Sequence, residues 1–88
     1  MYLHLGQNTV VSEDSVIGIF DLDKASCSKI THKFLSNAEK KGCLINISDD
    51  IPKSFIICTQ NYESKTYLSQ LNSQTLLKRK NRITKGEF

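Results

Sequence analysis

Short apolar runs separated by turn-forming residues open the chain, and this pattern is typical of β-strands. Leu3 and Leu5 are apolar at alternate positions, and residues 9–11 form a second β-prone run after the turn-forming cluster at 6–8. Two such runs on either side of a Gly/Asn turn favour a hairpin. The pattern therefore predicts two antiparallel strands within residues 2–11.

A longer apolar stretch follows at residues 15–22 and carries several β-branched side chains. Its apolar positions do not recur with helical spacing, so it predicts a strand that is buried on both faces. Gly18 lies in the middle of this strand, where glycine marks a bulge or a close approach of the backbone. We expect one of these two features at Gly18.

Between residues 23 and 42 the spacing of the apolar side chains becomes helical. The apolar stripe of this segment consists of Ile30, Phe34, Leu35 and Ala38. Its lysines lie off the stripe, as they do in an amphipathic helix. Ser26 or Ser28 is expected to cap the start of the helix, and Gly42 is expected to end it in the left-handed conformation.

Three further strands are expected in the second half of the chain, over residues 43–47, 54–59 and 66–68. The second of these is the most apolar segment and is expected at the centre of the sheet. Pro52 has no backbone N–H group, so the residues around it should form a loop or a sheet edge.

A short C-terminal helix should then start at Asn72 and Ser73, because the Ser73 hydroxyl can accept a hydrogen bond from the first turn. The order of elements predicts the α+β class. We expect a small, mostly antiparallel sheet with one long amphipathic helix and a short C-terminal helix.

The size of the chain favours self-association. Its 88 residues leave room for one domain, predicted over residues 1–80, with a basic and flexible C-terminal tail over 81–88. A chain of this length buries only about 60–65% of the surface that its unfolded state exposes. We therefore expect a homo-oligomer whose interface is the apolar stripe.

The apolar segments are too short for a membrane span. The longest unbroken apolar run covers residues 55–58, whereas a helix needs about 20 residues to cross a bilayer. The first basic residue is Lys24, so a charged region does not precede an early apolar stretch. The sequence predicts a cytoplasmic protein without a membrane partner.

Positive charge is concentrated at the C-terminus. Residues 78–88 contain five basic side chains and one acidic one, whereas residues 1–77 contain seven basic and eight acidic side chains. An anionic partner would therefore be met at the C-terminus or along one face of an oligomer. A solvated tail without a partner is the alternative interpretation.

No pattern in the sequence indicates catalysis. The three cysteines, Cys27, Cys43 and Cys58, form no C-x-x-C pair and are expected to be small buried apolar residues in a reducing compartment. His4 and His32 do not supply the spacing of a zinc site, and His32 is expected to be solvated. Phosphate-binding loops and nucleophile elbows are absent. We predict that the protein is not an enzyme and has no catalytic residue, metal, cofactor or small-molecule substrate.

Basic side chains make nucleic acid the favoured partner. The candidate residues for nucleic-acid binding are Lys53, Lys78, Arg79, Lys80 and Arg82. Such side chains neutralise phosphates without reading bases. Tyr62 and Tyr67 flank a turn and could stack on bases, although packing across strands is the favoured role. A ring that repeats the same cations would multiply the weak affinity of one protomer for duplex DNA.

Several short motifs resemble those of the RemA/RemB (YaaB-like) extracellular matrix regulators of Gram-positive bacteria. They are M-Y-x-H-L-G at residues 1–6, G-I-F-D at 18–21, F-L at 34–35, P-K-S at 52–54 and the basic ending at 77–79. Each motif alone is weak, but their order and spacing together are fairly specific. The likeness covers about residues 1–80 and is closer to the RemB branch.

This resemblance implies a small α+β protomer that assembles into rings, in a family whose RemA member is a DNA-binding activator of biofilm matrix operons. It implies DNA-contacting arginines near position 15 and in the loop at 50–53. This sequence has Ser15, Asp50 and Ile51 at such places and keeps Lys53. The C-terminal cations would then carry more of the phosphate contacts.

Two other functions stay open. The near-neutral body of residues 1–77 and the thin core also fit an oligomeric module that regulates through a protein partner, without binding nucleic acid. A basic edge on a small β-rich oligomer could instead bind RNA.

Overall fold

The computed structural model of the protein describes residues 2–22 and 29–85, and the side chains of 80–85 lie outside this description. Its strands are β1 (Tyr2–Gly6), β2 (Thr9–Ser12), β3 (Val16–Asp21), β4 (Leu44–Asn46), β5 (Ser54–Gln60) and β6 (Glu63–Ser69), and its helices are α1 (Lys29–Lys40) and α2 (Ser73–Lys85). A single 3-10 turn, Glu13–Ser15, joins β2 to β3. The predicted α+β class is confirmed.

The strands form two sheets. Strands β1 and β2 pair as the expected antiparallel hairpin, and the other four form a sheet in the order β3-β5-β6-β4. Strand β5 lies inside this sheet, as its apolar composition predicted, because both of its edges are paired. Strand β4 pairs with β6 in the parallel direction, whereas the β3–β5 and β5–β6 pairs are antiparallel. The sheet is therefore mostly antiparallel, as predicted.

The four-stranded sheet is covered on both faces. Successive side chains of a strand point to opposite faces, so Phe55 and Ile56 of β5 face different layers. The Phe55 ring lies 6.4 Å from Phe34 of α1, whereas Ile56 is fully buried against the hairpin and α2. The buried core on the second face comprises Leu3, Leu5, Val11, Ile56, Cys58 and Leu76.

Two buried serines join the hairpin, the sheet and the start of α2. The Ser69 hydroxyl donates to the Leu5 carbonyl at 2.5 Å, and the Ser54 hydroxyl donates to the Leu71 carbonyl at 2.8 Å. Both hydroxyls are fully removed from solvent, so each bond satisfies a polar group that burial would otherwise penalise. These bonds fix the segment from which α2 starts.

The expectation that β3 is buried on both faces is wrong. Ile17 is 63% exposed and Phe20 is 41% exposed, because β3 pairs with β5 alone among the described residues. The bulge expected at Gly18 is confirmed by a register shift between Val16 and Gly18. A side chain at Gly18 would also meet the Phe20 ring, since a Cβ atom built there lies 2.7 Å from it.

The ends of the helices follow local chemistry. Gly42 has a φ of 74° and ends α1 as expected, with its N–H bonded to the Glu39 carbonyl. Asn72 caps α2, because its side-chain oxygen accepts from the Thr75 N–H at 2.7 Å. Ser73 instead donates its hydroxyl to Asp21. The expected caps Ser26 and Ser28 lie outside the described residues.

One long and one short helix were expected, but the described parts of α1 and α2 contain 12 and 13 residues. The prediction of a short C-terminal helix failed because the lysines and arginines after residue 77 are good helix formers and continue the helix. Residues 86–88 lie outside the description, so the flexible tail stays a prediction. Neither helix, within the described residues, is long and apolar enough to span a membrane.

Candidate nucleic-acid interface

Helix α2 carries most of the predicted phosphate-binding residues. Leu76 is fully buried against the hairpin and the sheet, and this contact fixes which side of the helix faces solvent. Lys78 is exposed. Arg79 is half-buried, and the side chains of Lys80 and Arg82 lie outside the described residues. The two predicted cations of α2 with described side chains, Lys78 and Arg79, therefore differ in their exposure to solvent.

Arg79 tethers α2 to the hairpin. Its Nη1 atom donates to the His4 carbonyl at 3.0 Å and lies 3.5 Å from His4 Nδ1. His4 Nε2 is 2.6 Å from the Gln7 carbonyl, so the ring donates there and its Nδ1 accepts from Arg79. Part of the hydrogen-bonding capacity of Arg79 is thus used inside the protomer.

Lys53 lies at one end of the four-stranded sheet. Its N–H donates to the Ser69 carbonyl at 2.8 Å, and its carbonyl accepts from the Leu22 N–H at 2.9 Å. Its backbone is therefore held beside the segment that leads into α2, and its side chain is exposed. The structure places Lys53 near the N-terminal end of α2, with Lys78 more than one helical turn further along.

The two places where the family resemblance implied arginines lie at opposite ends of the sheet. Ser15 precedes the end of β3 that pairs with Cys58, whereas the loop at 50–53 precedes the other end of β5. The span from Ser54 to Cys58 is about 14 Å along the strand. Asp50 and Ile51 are exposed in that loop, so within one protomer Lys53 is the cation that this region offers.

The predicted oligomer stripe divides into a buried and an exposed part. Ala38 is buried and Leu35 is half-buried, whereas Phe34 is 40% exposed and Ile30 is 82% exposed. Phe55 lies between Phe34 and Phe20, with its ring stacked on Phe20 at 5.0 Å. Ile30, Phe34 and Phe20 leave apolar surface open to solvent on the α1 side, and we call these three residues the apolar patch.

A groove of about 450 Å³ separates the hairpin from the β5–β6 turn. The side chains that line it come from both sheets and are Tyr2, Val10, Val11, Ser12, Ser15, Cys58, Gln60, Asn61, Glu63, Lys65 and Tyr67. Burial raises the pKa of the Cys58 thiol, although its hydrogen bond with Ser15 acts in the opposite direction. Cys58 is therefore an unreactive thiol at neutral pH.

The other residues singled out from the sequence have ordinary surroundings. Cys58 is buried as expected, Cys43 is half-buried, and Cys27 lies outside the described residues. His32 is exposed on α1, as predicted. Within the part of the chain that the structure describes, no three His, Cys, Asp or Glu side chains are placed to hold a metal ion.

Tyr67 and Tyr62 differ in their environments. Tyr67 is half-buried and pairs in register with Ile56, in agreement with packing across strands. Tyr62 occupies the turn itself and is fully exposed, so its predicted cross-strand packing is wrong. Sequence reasoning could not predict this position, because a tyrosine is rarely found in a two-residue turn of this conformation.

Comparison with known proteins identifies the family of the chain. Residues 2–79 match the model of the family described as extracellular matrix regulatory protein A-like, or RemA-like. The chain is also 40% identical over 79 residues to extracellular matrix regulatory protein B of Bacillus subtilis (strain 168), and this match covers 90% of the chain and 89% of that relative. The chain therefore belongs to the RemA-like family of extracellular matrix regulatory proteins.

Proposed function

We infer that the chain is a cytoplasmic, DNA-binding transcriptional regulator of the extracellular matrix, or biofilm, type and that it acts as a homo-oligomer without enzymatic activity. The observation that carries this proposal is helix α2, whose buried Leu76 leaves Lys78 on the solvent side. Family membership supports the regulatory role. The cations of α2 would contact phosphates, together with Lys53 beside the start of the helix.

Self-association would raise the weak affinity of this cationic surface for DNA. One protomer offers few phosphate contacts, whereas an assembly that repeats α2 would bind one DNA molecule through many copies at once. The apolar patch supports such an assembly, because its three large side chains are exposed. Ile30 lies one helical turn from Phe34, and the rings of Phe34 and Phe20 both contact Phe55. Burial of these side chains between copies would contribute favourable free energy to assembly.

A second function is favoured by the loop before β5. Asp49 and Asp50 are exposed there and would repel phosphate, although the family resemblance implies basic residues in this region. An oligomer with this loop could regulate by binding a basic surface of another protein. It would then use the apolar patch for assembly and would have no need of the α2 cations.

The two functions are separated by gel retardation with a long duplex DNA at low salt. The DNA-binding proposal predicts retardation at micromolar protein, and Lys78→Gln combined with Arg82→Gln should weaken it. Absence of retardation for the wild-type protein would refute DNA binding and favour the protein partner. Competition by single-stranded RNA that exceeds competition by duplex DNA would indicate RNA as the ligand instead.

A further inference from the structure

Tyr62 is held in an unfavourable backbone conformation with its whole side chain in solvent. The turn between β5 and β6 has two central residues, Asn61 with a φ of 54° and Tyr62 with a φ of 66°. Asparagine tolerates this left-handed region, whereas a bulky side chain such as tyrosine does so at a cost. The side chain is 105% exposed, so no contact with the described residues of the protomer offsets that cost.

The groove described above opens beside the same turn. Gln60, Asn61 and Glu63 from the turn line one wall, and Tyr2 and Val10 of the hairpin line the other. Tyr2 is 71% exposed and Val10 is 55% exposed. A space of about 450 Å³ lies within the range of about 300–1,000 Å³ in which proteins enclose drug-sized groups, so one aromatic side chain can enter it.

We propose that Tyr62 of one copy inserts into the groove of a second copy, and that the second copy returns the same contact. A two-fold contact uses the same surface of both copies, so this surface must be complementary to itself. The Tyr62 ring and the groove meet this requirement because they lie at the same end of the molecule. The inference deepens the homo-oligomer of the proposed function and adds a surface distinct from the apolar patch. It does not depend on DNA binding.

Charge complementarity supports a second copy as the occupant. Glu63 and Lys65 are both exposed, lie on the same face of β6 and both line the groove. A two-fold axis reverses the direction of β6 in the second copy, so Glu63 and Lys65 follow each other there in the opposite order. Glu63 of one copy then lies opposite Lys65 of the other, and the exchange gives two ion pairs at the rim of the contact.

The contact alone would be weak. A buried aromatic side chain removes about 150–250 Å² from solvent, so two Tyr62 rings and their surroundings give an interface at or below the lower end of stable complexes, about 1,200 Å². We therefore expect dimers through this surface to form only at high protein concentration. Combined with the apolar patch, the contact would join protomers into assemblies larger than a dimer.

Tyr62→Gly tests the inference without risk to the fold. Asn-Gly is the preferred sequence for a two-residue turn in which both φ angles are positive, so the variant should be at least as thermally stable as the wild type and its melting midpoint should rise by a few degrees. Its dissociation constant for self-association should nevertheless rise at least about tenfold, measured by sedimentation velocity over a concentration series. Ile51→Gly, at an 84% exposed position in the loop before β5, is the matched control and should leave association unchanged.

Charge reversal tests the two-fold arrangement. Glu63→Lys alone and Lys65→Glu alone should each weaken association, because each creates a like-charge contact across the axis. The double variant should restore association to within about threefold of the wild type. Failure of the double variant to restore it, in a folded protein, would overturn the two-fold contact.

Other outcomes have distinct meanings. If Tyr62→Gly associates as strongly as the wild type, the Tyr62 contact is refuted while the proposed homo-oligomer stands on the apolar patch. If the wild type stays a monomer at every concentration, the homo-oligomer fails, and the Tyr62 contact fails with it. If Tyr62→Gly lowers affinity for DNA but leaves association unchanged, Tyr62 serves as a stacking residue and the inference is overturned.

Discussion

The salt dependence of DNA binding gives the sharpest test of which α2 cations meet phosphates. We consider Lys78→Gln combined with Arg82→Gln. Each phosphate contact contributes about 0.9 to the slope of log Kobs against log salt concentration, so a fourfold rise in salt from 50 to 200 mM weakens binding about 3.5-fold per contact. Loss of two contacts in one engaged protomer should make this salt-induced loss of affinity about 12-fold smaller. Every further engaged protomer enlarges the difference.

The structure predicts a different result for Arg79→Gln. Its guanidinium already donates to the His4 carbonyl at 3.0 Å, so it is less available to phosphate. We expect the slope of log Kobs against log salt concentration to change by less than the value of about 0.9 that one phosphate contact contributes. The melting midpoint should fall instead, because a hydrogen bond between α2 and β1 worth on the order of 1 kcal/mol is lost.

Fluorescence anisotropy with a labelled duplex, repeated at several salt concentrations, measures these slopes. Lys40→Gln combined with Lys41→Gln is the matched control, since it removes the same charge from exposed positions at the end of α1. That control should keep the wild-type slope. Phosphate contacts by Lys78 and Arg82 are refuted if the variant that lacks both cations keeps the wild-type salt slope. They are also refuted if the α1 control reduces the salt slope as strongly.

Two further predictions concern the core and the groove. Leu76→Ala removes a fully buried side chain and should lower the free energy of unfolding by about 2–5 kcal/mol in urea denaturation; a loss below about 1 kcal/mol would mean that α2 is not packed as described. Because burial raises the pKa of the Cys58 thiol above its ordinary value, the contribution of this thiol to stability is complete below the pKa of the unfolded thiol and is lost as the pH rises through the folded value. As the pH rises through the range in which the thiol ionises, stability should therefore fall more in the wild type than in Cys58→Ala. At neutral pH iodoacetamide should label Cys43 faster than Cys58, and equal labelling rates would contradict the burial of Cys58.

Much of the fold follows from local patterns in the sequence. The alternation at Leu3 and Leu5 predicts the hairpin, and the glycine at position 42 predicts the end of α1, because both depend on residues close in the chain. The central place of β5 follows from its continuous apolar run. These features need no knowledge of long-range contacts.

The failed expectations depend on contacts between distant segments. The apolar run at 15–22 looks like a strand buried on both faces, but its exposure is decided by its edge position beside β5, which the local sequence does not specify. The length of α2 was underestimated, because lysine and arginine favour helix and the helix continues to Lys85.

The candidate site shows the same division. Basic composition identifies Lys78 and Arg79 equally, whereas the tertiary structure distinguishes them: Lys78 lies in solvent and Arg79 bonds to His4 across 75 positions of the chain. The strained, exposed position of Tyr62 also appears only when the register of β5 and β6 is known.

The variant Ile30→Gln shows whether assembly through the apolar patch makes DNA binding effective. Ile30 is 82% exposed, so the change should weaken assembly without removing a core contact. The measurement is the dissociation constant for a long duplex at one low salt concentration, with the mass of each protein determined by light scattering. We expect Ile30→Gln to shift to smaller species and to bind DNA at least about tenfold more weakly than the wild type. A variant that dissociates yet binds DNA as tightly as the wild type would contradict a role for this assembly in DNA binding.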